Sequence, residues 1–287
     1  MNRAFINQSL SFALVFLCIP CCLANSIHEK LTLLESKEHI RLGVSAINTA
    51  NNQIINYRAN ERFPIQSTFK MLSVAAVLHQ SMSNPSLLKQ KINFKNRQLA
   101  SWSPITEKNL ERNMTISDLC AAAMMYSDNT ATNLLIEKLG GLKRVTGFAR
   151  LLKNDSLRLD HLEPHMNSDP TKAEDSSTPE AMQKSLKTLA LGNILSKSMR
   201  EQFNDWLKKN TTGDTRIRAG IPKGWMVGDK TGAGDDFGVS NDIAVIWPPN
   251  HAPIVLAIYT AHSDKNSTRR DDVVAEVTRL IIGEFKS

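Results

Sequence analysis

The sequence predicts an α/β (α+β) fold, with an antiparallel sheet flanked by helices and built from both ends of the chain, and an all-α lobe inserted between them. Three observations carry this expectation. Residues 30–60 contain HIRLGVSAINTANNQIINYRA, where apolar and polar residues alternate around an Asn-Asn turn in the pattern of a β-hairpin. From about 63 to 209 the apolar period lengthens to that of helices. After 220 strands return in WMVGDKTGAG, SNDIAVIWPP and PIVLAIYTA, each following the last closely enough for antiparallel pairing. The expected division is an α/β lobe of 25–62 and 210–287, and an all-α lobe of 63–209.

The N-terminal segment MNRAFINQSLSFALVFLCIPCCLAN has a positive start at Arg3, an apolar run from Leu10 to Ile19 and a small-residue exit at Leu23-Ala24. That run is too short for a stable membrane span, so residues 1–24 read as a secretory signal peptide cleaved after Ala24. Of the 4 cysteines, Cys18, Cys21 and Cys22 belong to this leader. Only Cys120 remains, so no internal disulfide is expected and the exported chain relies on its core.

The helical stretch divides into 67–79, TISDLCAAAMMYSDNTATNLLIEKLGG at 115–141, 142–153 and 178–193. Thr115 with Asp118 three residues later, and Ser177-Thr178 ahead of Pro179, are helix starts; Gly140-Gly141 is a stop. Residues 154–177 are polar and helix-poor, and a loop of that length in a compact fold is usually functional or packed as an Ω-loop, here placed at 158–175. DDVVAEVTRLIIGEF closes the chain as an amphipathic helix.

The net charge of +7 over 287 residues is modest, and Lys and Arg are scattered. Without a basic stripe interleaved with aromatics, nucleic acid is not an expected partner. HLEPH at 161–165 places two histidines four apart, but Pro164 breaks the helix that would bring them to one face, so no metal site is expected.

Four short motifs then fall in order: STFK at 67–70, SDN at 127–129, EPHMN at 163–167 and KTG at 230–232. Ser-x-x-Lys alone is expected about once by chance in such a chain, and SLLK at 86–89 is a second match. SDN and KTG are each rarer, with roughly a tenth of an occurrence expected. Ser67 lies at a helix start, where free N–H groups and the helix dipole favour negative charge. Lys70, one turn on, shares its face and is expected to point inward at the hydroxyl, since serine alone is a weak nucleophile.

These motifs, together with RLDHLEPHMN, SDNTATNLL, WMVGDKTGAG and NDIAVIWP, resemble the class A β-lactamases, and the resemblance covers essentially all of 25–287. It implies the β-lactamase / D,D-peptidase-like fold and hydrolysis of the β-lactam ring of penicillin- and cephalosporin-type antibiotics through a serine acyl-enzyme, conferring resistance. By that resemblance the catalytic residues are Ser67, Lys70, Ser127, Glu163 and Asn167. Ser127 relays a proton to the lactam nitrogen, and Glu163 with Asn167 holds the water that hydrolyses the acyl-enzyme. Asn129 takes the substrate's side-chain amide. Lys230 supplies positive charge for Ser127 and for a substrate carboxylate, with Thr231, Gly232 and Ala233 alongside it. The N–H groups of Ser67 and Ala233 form the oxyanion hole. Gly232 and Gly234 suit a strand that a ligand approaches closely. Trp102 flanks the entrance. Arg216 is preferred over Arg270 as the second carboxylate-binding group, and Glu163–Pro164 is expected to be cis.

No metal or organic cofactor is implied. The expected partner is a small-molecule β-lactam, met by a periplasmic monomer with no membrane attachment after signal cleavage. Departures from the family pattern are His161, where many members carry an arginine that pins the loop, here expected to pair with Asp175, and Gln66, which is not the cysteine that one carbapenem-hydrolysing group joins to the position of Gly234. The rivals are a D,D-peptidase or transpeptidase, which lacks the Glu163–Asn167 device, and a non-hydrolytic β-lactam sensor, which needs a membrane-spanning and signalling region. A Ser-His-Asp hydrolase would need a Gly-x-Ser-x-Gly elbow, and none occurs.

Overall fold

A computed structural model describes residues 26–286; the expected signal peptide and its cysteines lie outside the described residues. Helix α1 (Ile27–Glu38) starts at a reciprocal cap in which Ser26 and Glu29 satisfy each other's backbone N–H groups. The hairpin read at 30–60 is β1 (Arg41–Asn48) with β2 (Ile54–Tyr57), but the segment ahead of it is helical rather than extended. Leu31 is the one fully buried residue in α1, so its apolar period is too faint to read from sequence.

Next come the short β3 (Phe63–Pro64), a 3-10 turn over Gln66–Phe69, and α2 (Lys70–Ser83). The strand pair β4 (Lys91–Ile92) and β5 (Met114–Thr115) leads into α3 (Ile116–Met125), α4 (Asn129–Leu139) and α5 (Leu142–Leu151). The single helical period read over 115–141 is thus two helices. Asp128 is the reason: its carboxylate caps α4 at Ala131 N (2.8 Å) and accepts from Ile105 N and Thr106 N, both 2.9 Å. A short polar side chain that can bind nearby backbone competes with the helix, and Ser127 before it turns left-handed at φ 57°. Gly140 ends α4 in the left-handed region at φ 97°, as expected.

After β6 (Ser176–Ser177), α6 (Pro179–Leu191) starts at the Thr178 cap with proline at its first position. Helix α7 (Lys197–Lys208) is absent from the sequence reading, although Phe203, Trp206 and Leu207 mark its buried face at helical spacing. Then follow α8 (Ile217–Gly220), β7 (Met226–Gly234), β8 (Val239–Trp247), β9 (Ile254–Ala261) and α9 (Asp271–Glu284).

The five long strands form one antiparallel sheet in the order β2-β1-β9-β8-β7, so the two chain ends meet where β1 pairs with β9. Along β9 the faces alternate with period two. Val255, Ala257 and Tyr259 enter the core shared with α2–α7, while Ile254, Leu256 and Ile258 pack towards α1 and α9. Strand β7 is an edge, which leaves its outer side free to face the Ser67 turn. Among the described residues no helix is long and apolar enough to cross a membrane.

The segment between α5 and α6 lacks a helix, and side chains hold it instead. Arg62 Nη1 donates to Ser156 O (2.8 Å) and Ser176 Oγ (2.9 Å) at its base. Buried Asp175 accepts from Asp160 N (2.7 Å), His161 N (3.0 Å) and Asn167 N (3.0 Å). His161 Nδ1 lies 2.7 Å from Asp175 Oδ2, the pairing expected from sequence. The hydrogen bond to Asp175 holds the imidazole above its ordinary pKa against partial desolvation, with Asp160 and Glu174 adding to the effect. A raised folded-state pKa contributes stability that is complete below the unfolded value of about 6.5 and is lost as pH rises through the folded value. Residues 158–175 should therefore show stronger amide protection from hydrogen exchange at mildly acid than at alkaline pH, and His161→Arg should remove that dependence. Equal protection of the wild type at both pH values would show that the histidine does not latch the loop.

Candidate active site

Ser67 sits in the 3-10 turn, and Lys70 opens α2 with no exposure to solvent. Lys70 Nζ donates to Ser127 O (2.8 Å), reaches Ser127 Oγ at 3.4 Å, makes a short hydrogen bond to Asn129 Oδ1 and lies 3.0 Å from Glu163 Oε1. Ser67 Oγ donates to the same Glu163 Oε1 at 3.1 Å. Hydroxyl and ammonium are thus joined through a carboxylate oxygen, whereas the sequence reading paired them directly. One turn of helix brings both to a common face, but buried Lys70 takes the strongest acceptor within reach. Burial pushes Lys70 below the ordinary lysine pKa, and the Glu163 charge opposes this.

Ser127 is placed by the left-handed turn between α3 and α4. Its Oγ accepts from Lys230 Nζ at 3.0 Å on the facing edge strand, so the hydroxyl lies between two ammonium groups. Lys230 is fully buried and also donates to Thr231 O (3.0 Å). Burial, then the charge of Lys70, lowers its pKa to about 7. Asn129 spans two elements: Oδ1 takes Lys70, and Nδ2 donates to Ser101 O (2.7 Å).

Glu163 is fixed through its backbone, with Asn133 Oδ1 accepting from Glu163 N (3.2 Å) and Asn133 Nδ2 donating to Glu163 O (2.8 Å). The Glu163–Pro164 bond is cis, as expected. The Asn167 amide is engaged within the loop. Its Nδ2 donates to Asp169 O (3.1 Å) and Glu174 O (3.0 Å), and Oδ1 accepts from Asp169 N (2.9 Å). The amide serves loop carbonyls that have no ladder partner, and both its protons are committed there.

Ser67, Ser127, Asn129, Glu163, Thr231 and Ala233 line a cavity of about 830 Å³ between the Ser67 turn, the loop and β7, while Lys70 and Lys230 lie fully buried behind that lining. Trp102 lines its mouth, 65% exposed, with Nε1 on Tyr126 O (3.1 Å). Arg216 lines it as well, buried at 4% exposure. Its Nε donates to Asp271 Oδ1 (2.9 Å), and its Nη1 to Gly232 O (2.9 Å) and Asn241 O (2.8 Å). Arg270 is engaged elsewhere, with Glu38 (2.7 Å) and Asp272 (2.7 Å). Gly232 is required by the protein itself, since a Cβ there would stand 2.8 Å from Ile65 O. The edge strand therefore lies directly against the nucleophile's own segment, a closer cause than the ligand approach read from sequence.

Sequence reasoning passed over the carboxylates behind Lys230. Asp229 receives Arg218 Nε at 2.6 Å and also Asn210, and burial raises its pKa against the pull of Arg218. Asp242, which pairs across the sheet with Thr231, is fully buried and raised well above the ordinary carboxylate range by burial and by Asp229. The signal was present in GDKTG: alternation along a strand sends Asp229 and Lys230 to opposite faces, and an aspartate on the covered face needs a partner.

A family model described as the β-lactamase enzyme family matches residues 26–285. The β-lactamase Toho-1 of Escherichia coli is 49% identical over 263 residues, covering 91% of this chain and 90% of the relative. The β-lactamase OXY-2 of Klebsiella oxytoca is 48% identical over 258 residues, or 90% and 89% of the two chains. Among solved structures, a β-lactamase from Desulfarculus baarsii DSM 2075 superposes with a TM-score of 0.89 at 42% identity, covering 91% of this chain and 97% of the other. With the site geometry and these likenesses in agreement over nearly the whole described chain, the protein belongs to the β-lactamase enzyme family.

Proposed function

We propose that the chain is a class A serine β-lactamase that opens the β-lactam amide of penicillin- and cephalosporin-type antibiotics and so confers resistance, exported to the periplasm by its leader. The observation that carries this reading is Glu163 Oε1, which lies 3.1 Å from Ser67 Oγ and 3.0 Å from Lys70 Nζ at the wall of the cavity.

In acylation, Ser67 Oγ attacks the lactam carbonyl carbon and its proton passes to the Glu163 carboxylate, which hands it on to Lys70 as Lys70 gives its own proton to Ser127, so that Glu163 is a carboxylate again before water arrives. Negative charge on the carbonyl oxygen meets the N–H groups of Ser67 and Ala233. The C–N bond breaks as Ser127 protonates the leaving nitrogen, and the two ammonium groups bordering Ser127 Oγ favour that transfer and restore its proton. In deacylation, Glu163 removes a proton from water as the oxygen attacks the ester, and Ser67 leaves with its proton returned. Arg216 and Lys230 place positive charge where the substrate's ring carboxylate is held.

Ser67→Ala should lose all covalent labelling by penicillin in intact-mass spectra; an adduct persisting on Ser127 would reassign the nucleophile. Glu163→Gln should still acylate but accumulate the adduct, its deacylation slowed by about 10²- to 10⁴-fold as befits loss of a general base. Turnover at the wild-type rate in that variant would end the assignment.

The arginines can be ranked. Arg216→Ala should raise KM for substrates bearing the ring carboxylate about tenfold, the scale of a lost charged hydrogen bond, while Arg270→Ala stays within about twofold. Steady-state kinetics giving the opposite order would move the role to Arg270.

A further inference from the structure

We propose that Gln66 is a positioning residue for deacylation, its side-chain amide strapping the loop that carries Glu163 onto the segment that carries Ser67. The proposal rests on the reading of Glu163 as the deacylating base. Gln66 immediately precedes Ser67 and is buried at 6% exposure. Its Nε2 donates to Asn167 O at 2.7 Å, a bond between residues 101 apart in sequence. The residue holds a left-handed backbone at φ 45°, uncommon for a side chain of this size.

The amide is clasped from the other side by the edge strand. A Cβ built on Gly234 would lie 3.1 Å from Gln66 Cδ and 3.0 Å from Ser168 Cβ. Strand, amide and loop are therefore in contact, and the glycine leaves room for the strap. On the loop side, the backbone N–H of Asn167 is held by Asp175 at 3.0 Å and its carbonyl by Gln66. With Asn133 tying both backbone groups of Glu163, the base is anchored on one side by α4 and on the other through Gln66.

The two chemical steps depend on this strap unequally. Acylation has a second acceptor for the serine proton in Lys70, which α2 fixes one turn from Ser67 whatever the loop does. Deacylation has Glu163 alone, a base carried by the loop. Loss of the strap should therefore fall on the second step.

The test is transient kinetics with a chromogenic cephalosporin, with intact mass recorded in parallel, on wild type, Gln66→Met, Gly234→Ala and Glu163→Gln. Gln66→Met keeps the length of the side chain but leaves Asn167 O without its donor. Gly234→Ala keeps Gln66 and presses a methyl group against its amide. In both, acylation should stay within about twofold of wild type while deacylation slows about tenfold, the scale of one lost buried hydrogen bond, and the adduct accumulates. Wild-type deacylation in both, or equal slowing of both steps, overturns the proposal. Glu163→Gln separates the two claims. If it accumulates adduct while the other variants do not, only the strap is wrong; if it turns over freely, the base assignment falls and the strap with it.

Discussion

Lys70 and Lys230, two ammonium groups with no exposure to solvent, set the terms for everything arranged around them. Removing a charge from water is unfavourable by several kcal/mol unless partners replace the lost hydration. Both lysines reach Ser127 Oγ, and the charge of Lys70 adds to burial in lowering the pKa of Lys230. The convergence of the α3–α4 break, the loop and the edge strand on one point follows from that need. Glu163 brings Lys70 its nearest negative charge, and Asp229, held by Arg218 behind the strand, opposes the effect of burial on Lys230. Stripping a partner from a buried pair typically destabilises by about 3–5 kcal/mol. Glu163 thus completes the fold as well as the chemistry.

A loop without ladder hydrogen bonds must satisfy its backbone groups some other way, and here side chains from four places do so. Asp175 collects three N–H groups and the His161 imidazole, Asn133 grips Glu163, Asn167 serves the carbonyls of Asp169 and Glu174, and Gln66 takes the carbonyl of Asn167. The result is a carboxylate whose position is fixed from both sides by the scaffold, which is how a catalytic group stays at hydrogen-bond distance from its nucleophile.

Much of this was legible in the sequence because the relevant signals are local. Alternation marked the hairpin and the three C-terminal strands, caps at Thr115 and Thr178 marked helix starts, and the motifs named Ser67, Ser127, Asn129, Glu163 and Thr231, which line the cavity. What could not be read depends on partners far apart in the chain. Asn129 and Asn167 carry amides suited to substrate or water, yet their neighbours in sequence give no hint that Lys70, Ser101 and the loop carbonyls engage them. The same holds for Glu163 as the bridge between Ser67 and Lys70, 96 residues from the serine. The break at Ser127 was hidden for another reason: apolar residues continue on both sides of it, and the period gives no sign that Asp128 starts a new helix.

The central claim is that Glu163 holds the charge of Lys70 against the effect of burial. An NMR titration of the Lys70 side-chain nitrogen, in wild type and in Glu163→Gln, tests this directly. Removal of an opposite charge at 3.0 Å should make Lys70 more acidic, so that it loses its proton at lower pH in the variant. An unchanged titration would contradict the claim and leave burial and the neutral acceptors around Nζ to account for the state of the lysine alone.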